Sequence, residues 1–344
     1  MKKESIWKIF KYIGSILFAT IILYFLFKNQ DPIQLAKEIQ KVDGKWVVLS
    51  MIFGATAILI RGLRWLILLE AMGYKASKKN SISAVSIGYF TNLFIPRAGE
   101  ISRCTSLSQS DKIPMQKLFG TILIERIIDF GFLFVIFAIT LLLKFAEIQN
   151  FLFTLEANNL NIKSTNYILI ILSSFVIITG ILFLFKNQLK QLKIYKKTIN
   201  IINGFKEGVN SIQKIKNKSM FWIHSFNIWI MYFLMTYICF FSMQATSHLS
   251  TSDGLFLLVL GGVGMIIPTP GGIGSYHAIV MIGLSVLGVG SIFLGEGGDP
   301  KNPALIFPTI VHVAQTLVAI IMGLFGLLIL FLHKEHDKIN PLNE

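Results

Sequence analysis

Three ionisable side chains interrupt a long apolar run in the first half of the chain. Glu125 and Asp129 are four residues apart, so they share one face of a helix, and Arg126 lies between them. Ionisable groups inside a membrane span are costly, usually face the interior of a helix bundle, and by default indicate function. Arg61 and Arg64 lie at a similar depth in an earlier apolar run. This pattern predicts an arginine–carboxylate network. Two alternatives stay open: the network could be a purely structural ion-pair cluster, or Arg61 and Arg64 could extend to lipid headgroups instead.

A second group of polar residues surrounds a helix break at Pro96. Proline interrupts the helix, and Gly99 lets the backbone approach a neighbour closely. Arg97 and Arg103 present paired donors that can hold a phosphate group, while Glu100 can neutralise an arginine or bind an amine. The candidate substrate-binding residues here are Asn92, Arg97, Glu100 and Arg103. The alternative is a turn at the membrane surface whose charges face water.

Another break, over residues 267–274, is rich in proline and glycine. A half-helix that begins after Gly274 would point its free amides and the positive end of its dipole at an anion. His277 could bind phosphate or carry a proton, and His312 and Gln315 lie near the corresponding depth of the last apolar run. A buried histidine bonded only to backbone is the alternative. The candidate binding residues here are Thr269, Ser275, Tyr276, His277 and His312. The predicted hinge residues of the two breaks are Pro96, Gly99, Pro268, Pro270, Gly271, Gly272 and Gly274.

The composition indicates that membrane helices position these residues. Of the 344 residues, 53% are hydrophobic and 15% are charged, whereas soluble domains carry about 25% charged residues. Six apolar runs are close to or longer than the roughly 20 residues with which a helix crosses a bilayer. They lie at about 9–28, 46–70, 117–143, 167–186, 219–243 and 304–332. We therefore predict an all-α integral membrane protein that forms one domain over residues 1–344.

Two further apolar stretches are interrupted by the helix breaks: 82–96, in a segment that continues to about residue 112, and 253–290. We predict that both are re-entrant hairpins, because non-helical backbone at membrane depth must be buried in protein or line a wet cavity. Each hairpin lies between two full spans, so segments 46–143 and 219–332 form two copies of one motif in opposite orientations. Inverted repeats with broken helices are typical of transporters that bind their substrate near the bilayer midplane.

The net charge of +14 comes largely from lysine-rich segments outside the apolar runs. Under the positive-inside rule, these segments place both termini and the loops 71–81 and 187–218 in the cytoplasm. We interpret the first apolar run as a retained signal anchor of the cytoplasmic membrane. Segment 187–218 has apolar residues every three or four positions, which predicts a basic amphipathic helix on the membrane surface; a solvated basic linker is the alternative. No zinc, nucleotide or nucleic-acid motif accompanies the charge, so we expect no metal, no cofactor and no nucleic-acid partner.

Four motifs, in this order along the chain, carry a family resemblance. They are Arg61-Gly62-Leu63-Arg64-Trp65, Pro96-Arg97-Ala98-Gly99-Glu100, Glu125-Arg126-Ile127-Ile128-Asp129 and Pro268-Thr269-Pro270-Gly271-Gly272-Ile273-Gly274. Through them, residues 5–335 resemble the membrane domain of lysylphosphatidylglycerol synthases and of their stand-alone, flippase-like relatives. The resemblance implies that the chain moves or presents a modified phospholipid across the membrane. Many such relatives have a glutamate where this chain has His277, so the resemblance leaves room for a lipid other than the cationic lysyl lipid.

These observations together predict a lipid translocase. The polar headgroup would enter near the first break and leave near the second, while the acyl chains stay in lipid. The expected ligands are an anionic or aminoacylated phospholipid or a lipid-linked sugar.

Two alternatives stay open for the function. One is the membrane subunit of a two-protein lipid-modifying transferase, with a separate synthase or glycosyltransferase as its partner. The other is an ion-coupled solute transporter, since a fold alone does not fix function. We do not expect a self-contained enzyme, because no segment is large enough for a nucleotide-sugar or aminoacyl-tRNA site. Homo-oligomerisation also stays open.

Overall fold

The computed structural model describes residues 3–28, 30–157, 215–292 and 301–339, and these ranges contain helices, turns and loops but no strand. This confirms the prediction of a helical protein. The helices are α1 (Lys3–Phe27), α2 (Pro32–Gln40), α3 (Gly44–Ala71), α4 (Lys78–Phe94), α5 (Gly99–Asp111), α6 (Met115–Leu143), α7 (Phe145–Ala157), α8 (Lys218–Tyr237), α9 (Thr251–Ile266), α10 (Ser275–Val286) and α11 (Pro303–Ile339).

Four helical segments of the described ranges are long and apolar enough to cross a membrane. They are Gly44–Ala71, Met115–Leu143, Lys218–Ser242 and Pro303–Leu332. Many of their apolar side chains are exposed, including Phe134 and Leu142 on α6 and Phe331 on α11, which is typical of surfaces that face lipid.

The predicted count of six spans remains a prediction. A fifth span results if α1 and α2, which are bent by 84° at residues 28–31, are counted as one. The predicted span 167–186 lies outside the described residues, as does segment 187–218 except for its last four residues.

Helix breaks are present at both predicted positions. Helix α4 has 17 residues and α9 has 16; at 1.5 Å per residue each is roughly 25 Å long, short of the roughly 30 Å of a bilayer core. Each is followed by a break and then by a helix that packs back on it, α5 on α4 and α10 on α9. Both pairs therefore have the shape of the predicted hairpins.

The backbone conformation differs between the two breaks. The first, at residues 95–98, places Arg97 in the left-handed region with φ of 63°, which is uncommon for a residue with a Cβ. The second places Gly271, Gly272 and Gly274 at φ of 58°, 80° and 82°. Glycine adopts this region without a steric cost, so the predicted Gly-rich hinge has a physical basis in the backbone.

The turn of the first hairpin depends on a close approach between its two helices. A Cβ on Gly99 would overlap the carbonyl oxygen of Gly88, so only glycine fits at the start of α5. The amide of Gly99 also donates to Oδ1 of Asn92 at 2.7 Å. This bond closes the loop over Pro96 and fixes the position of the residues that follow.

Helix α4 lies at the centre of the described fold, where it packs against α3, α5 and α11. Helix α3 packs along α8, and the hydroxyl of Ser50 donates to the carbonyl oxygen of Met235 at 2.6 Å. One apolar core surrounds Trp65 and Leu107, and a second surrounds Phe240 and Phe307. The first core supports the first hairpin and the second core supports the second hairpin.

An ion pair joins the ends of α6 and α9 outside the membrane-spanning segments. Lys144 Nζ lies 2.6 Å from Asp253 Oδ1 and 3.0 Å from Glu147 Oε1. Lys144 and Asp253 are both buried. Burial raises the pKa of Asp253, but hydrogen bonds from Lys144 and Ser250 outweigh it, so the pKa lies below its usual range. The ion pair therefore stabilises the fold while Asp253 is ionised.

We predict that Lys144→Met lowers the free energy of unfolding by about 1–3 kcal/mol, since it leaves a buried carboxylate without its cation. Lys45→Met is the matched control, because Lys45 pairs with Asp43 in an exposed ion pair that contributes about 0–1 kcal/mol. Because the folded-state pKa of Asp253 is depressed, the contribution of the pair is present at neutral pH and is lost as the pH falls through that pKa. Thermal unfolding in detergent at several pH values measures both effects. Equal losses in the two variants would contradict the prediction.

Candidate functional site

A cavity of about 780 Å³ lies where the tips of the two hairpins meet. Its wall contains residues of α3, α4, α5, α6, α8, α9, α10 and α11 and of both breaks. The tips touch directly, since Arg97 Nη2 donates to the carbonyl oxygen of Ile266 at 3.3 Å. The charged residues in the wall are Arg61, Arg97, Glu100, Arg103, Arg126 and Asp129. All six are candidates from the sequence, and the fold brings them together from three helices and a break.

Asp129 is the first node of a buried ion-pair network. Its two carboxylate oxygens accept from Arg61 Nη2 at 2.7 Å and from Arg64 Nη1 at 2.8 Å. Helix α3 carries both arginines, spaced by three residues on one face, so a single carboxylate on α6 can receive both. Charge-assisted hydrogen bonds of this kind satisfy groups that could not stay ionised alone inside a membrane protein.

Glu125 is the second node, one helical turn before Asp129. Its Oε2 accepts from Arg103 Nη2 at 2.5 Å, and its Oε1 lies 3.5 Å from Arg64 Nη2. Arg64 is fully buried and contacts both carboxylates, so it connects the nodes. The network therefore holds α3, α5 and α6 together and fixes the wall of the cavity.

Aromatic side chains support the network. The guanidinium carbon of Arg103 lies 4.0 Å from the centre of the Trp65 ring, a cation–π contact. The indole nitrogen of Trp65 donates to Thr121 Oγ1 at 2.7 Å, which orients the ring. Arg103 is thereby held between a carboxylate and an aromatic face.

The charges nearer the cavity mouth have a different environment. Arg126 Nε lies 2.8 Å from Glu100 Oε1, with side-chain exposures of 52% and 37%. Arg97 makes a hydrogen bond to a backbone carbonyl only, and no carboxylate of the described residues pairs with it. The site therefore has a buried, fixed interior and an accessible rim.

The second hairpin contributes uncharged groups to the wall. Thr269, Tyr276 and His312 line the cavity, as Asn92 does from the first hairpin. His312 Nε2 lies 2.9 Å from the carbonyl oxygen of Gly271, so its ring is tied to the break. Of the predicted hinge residues, Pro96, Gly99, Pro268, Gly271 and Gly272 also line the cavity.

Four candidates lie beside the cavity rather than in its wall. Arg64 and Glu125 form the network behind the wall. Ser275 Oγ lies 2.8 Å from Thr269 Oγ1 and donates to the carbonyl oxygen of Gly272, which ties the break together. His277 is buried, with its ring centre 4.8 Å from that of His312. Its Nδ1 has no hydrogen-bond partner.

Sequence reasoning missed an aromatic group on α8 and α4. Tyr232 Oη accepts from Arg61 Nε at 2.7 Å and lies 2.7 Å from Tyr89 Oη. Trp229 also lines the cavity, and its buried indole nitrogen has no partner among the described residues. Aromatic residues are ordinary in apolar spans, and a spacing of one helical turn between Trp229 and Tyr232 is too common to identify a site.

Within the described ranges, no group of three or more His, Cys, Asp or Glu side chains is arranged to hold a metal ion. The carboxylates of the cavity bind arginines instead. The cavity therefore offers charged donors and aromatic faces to a ligand.

Comparison with known proteins identifies the family. The family model described as "Lysylphosphatidylglycerol synthase TM region" matches residues 12–323. This chain belongs to that family. The match covers every charged residue of the cavity, so the resemblance found in the motifs is confirmed over nearly the whole chain. With its apolar helices, the chain is a multi-pass membrane protein of the lysylphosphatidylglycerol synthase TM family.

Sequence comparison also finds three individual relatives, all of them named UPF0104 membrane proteins. A UPF0104 membrane protein of Methanocaldococcus jannaschii is 23% identical over 331 residues, covering 89% of this chain and 90% of the relative. UPF0104 membrane proteins of Methanothermobacter thermautotrophicus and Pyrococcus horikoshii are 25% and 26% identical, covering 80% and 77% of this chain and 84% and 83% of the relatives. No solved structure gives a significant match.

We predict that Asp129→Asn lowers the free energy of unfolding by about 3–5 kcal/mol, because it leaves Arg61 and Arg64 buried with less compensating charge. Glu100→Gln is the control, since it breaks an accessible pair of a kind that contributes about 0–1 kcal/mol. Thermal unfolding of the two variants in the same detergent measures the difference. A loss from Asp129→Asn no larger than that from Glu100→Gln would mean that the buried network does not hold the helices together.

Proposed function

We propose that this protein moves the polar headgroup of a membrane lipid across the cytoplasmic membrane while the acyl chains stay in the bilayer. The observation that supports the proposal most strongly is the cavity where the two broken-helix hairpins meet. Its wall contains charged residues of the first hairpin and uncharged polar residues of the second. Membership of a family described by a lipid synthase's membrane region supports a lipid as the ligand.

The wall has the mixed character that a lipid requires. A headgroup placed in hydrocarbon loses its hydrogen bonds with water, which makes spontaneous crossing slow. Arg97, Glu100 and Arg126 offer replacement partners, and apolar residues such as Leu133 and Met265 line the same cavity. A headgroup can therefore be solvated by protein while its tails contact apolar surface.

Helix packing supports an inverted repeat as part of this proposal. The segments α3 to α6 and α8 to α11 each contain a long helix, a broken hairpin and a long helix. The contact of α4 with α11 has its counterpart in the contact of α9 with α6, and the two first helices, α3 and α8, pack on each other. Such a relation suits a site that is open alternately to the two sides of the membrane.

The orientation we propose follows from charge. The lysine-rich segments between the apolar runs place both termini in the cytoplasm. The charged rim at Arg97, Glu100 and Arg126 would then receive the headgroup, and the region of Thr269, Tyr276 and His312 would release it. The glycines of the second break supply backbone that can change conformation at low cost.

Filling the cavity tests the proposal without disturbing a charge. Gly262 lines the cavity from α9, and among the described residues a Cβ there would contact only Leu133, at 3.4 Å. We predict that Gly262→Leu places a side chain in the cavity, leaves folding intact and raises the barrier to translocation by at least about 1.4 kcal/mol, a tenfold loss of rate. Gly131→Leu on α6 is the matched control, because a Cβ at Gly131 meets open space outside the wall.

The measurement uses proteoliposomes that contain tail-labelled fluorescent phosphatidylglycerol or phosphatidylethanolamine. Dithionite bleaches label in the outer leaflet, so the bleached fraction over time reports translocation, with and without a pH gradient. Loss of rate in Gly262→Leu but not in Gly131→Leu supports the proposal. If wild-type protein moves neither lipid under either condition, or if both variants keep the wild-type rate, the proposed function is wrong.

A further inference from the structure

Arginine and lysine occupy different parts of this protein. Lys and Arg together number 32, and only five of these residues are arginine. The five are Arg61, Arg64, Arg97, Arg103 and Arg126. Four of them line the cavity, and Arg64 lies directly behind it in the ion-pair network. Every other Lys or Arg residue of the chain is a lysine, and none of the lysines that the structure describes lines the cavity.

The charges of this cluster do not cancel. The cluster contains five guanidinium groups and three carboxylates, those of Glu100, Glu125 and Asp129. With these groups ionised, the cluster carries a net charge of +2. Each carboxylate is already engaged by at least one arginine at 2.5–2.8 Å. A cationic ligand would therefore find every acidic group of the cluster occupied.

Three residues of the cavity wall carry N–H donors that the described residues leave without a carboxylate or without any acceptor. Arg97, at the hairpin tip, has a backbone carbonyl at 3.3 Å as its hydrogen-bond acceptor and no carboxylate partner among the described residues. Arg103 is buried, and its Nε has no hydrogen-bond partner among the described residues although Nη2 contacts Glu125. The buried indole N–H of Trp229, in the same wall, likewise has no acceptor within the part of the chain that the structure describes. Unpaired buried donors are costly unless a ligand supplies the acceptors.

We infer that the cavity selects a lipid whose headgroup is a phosphate anion without a compensating amine, and that it discriminates against an aminoacylated, cationic headgroup. Guanidinium groups match phosphate oxygens with paired donors, whereas lysine offers a point charge. The net positive charge attracts the anion and opposes an added ammonium group, so the same cluster favours one ligand and disfavours the other.

This inference rests on the proposed function, because it names the lipid class for the same cavity. The charges of this cavity also differ from those that would favour the cationic lysyl lipid. An unpaired carboxylate in the wall would stabilise a lysyl ammonium, but the two carboxylates that line the cavity, Glu100 and Asp129, are both paired with arginine.

The test measures lipid selectivity by binding. The full-length protein in mild detergent receives an equimolar mixture of phosphatidylglycerol, phosphatidylethanolamine and lysylphosphatidylglycerol with identical acyl chains, and native mass spectrometry counts the retained lipids. We expect selective retention of phosphatidylglycerol by wild-type protein. We expect Arg97→Gln to reduce this retention by at least about tenfold, the effect of losing one charge-assisted hydrogen bond.

Lys117→Gln is the matched control, because it removes one positive charge at an exposed position of α6 outside the cavity. It should retain phosphatidylglycerol as wild type does. Equal losses in Arg97→Gln and Lys117→Gln would show that overall charge, and not the cavity, attracts the lipid. Displacement of bound phosphatidylglycerol by an equal concentration of inorganic phosphate would identify a soluble phosphate compound as the ligand. Either result would overturn the inference, as would preferential retention of lysylphosphatidylglycerol.

Translocation of the same three lipids, measured separately in proteoliposomes, distinguishes failure of the inference from failure of the proposed function. Transport of all three at equal rates would overturn the selectivity while the proposed function stands. Selective binding of phosphatidylglycerol without transport of any lipid would support the selectivity of the cavity and refute translocation.

Discussion

The structure depends on keeping two carboxylates and three arginines ionised in the interior of a helical membrane protein. Glu125 and Asp129 on α6 can remain charged only because Arg61, Arg64 and Arg103 reach them from α3 and α5. A buried charge without its partner is far less stable than a buried pair. This requirement fixes the distance between three helices. It also sets one wall of the cavity, since Arg61 and Arg103 line the cavity as well.

A contact between the two helix breaks joins the second hairpin to the first hairpin, which the ion-pair network holds in place. The network fixes the first hairpin through α5, and the bond from Arg97 to the carbonyl oxygen of Ile266 brings the second hairpin against its tip. Non-helical backbone is tolerated at this depth because protein covers it or a cavity adjoins it. A rigid ionic interior beside two non-helical turns gives the site a fixed part and a part that can move.

Local sequence features were enough to predict much of this arrangement. The helix breaks were predicted correctly because Pro96, and Pro268 with the glycines after it, act on their own backbone. The pairing of Glu125 and Asp129 on one face followed from helical spacing. The roles of Tyr232 and Trp229 were not predictable, because an aromatic residue in an apolar span packs equally well against lipid or against protein. Likewise, nothing near Ser275 and His277 in sequence showed that both lie beside the cavity wall.

The sequence by itself determined that the chain is helical, apolar enough for a membrane and broken at two defined places, because hydrophobicity and backbone stiffness are properties of neighbouring residues. It also limited arginine to five positions. Only the tertiary structure decided which arginine meets which carboxylate and which arginine is left without one. Those outcomes depend on distances between side chains on different helices, such as Arg61 and Asp129, which lie 2.7 Å apart although 68 residues separate them. The excess positive charge of the cavity, and with it the proposed choice of lipid, is therefore a property of the folded chain.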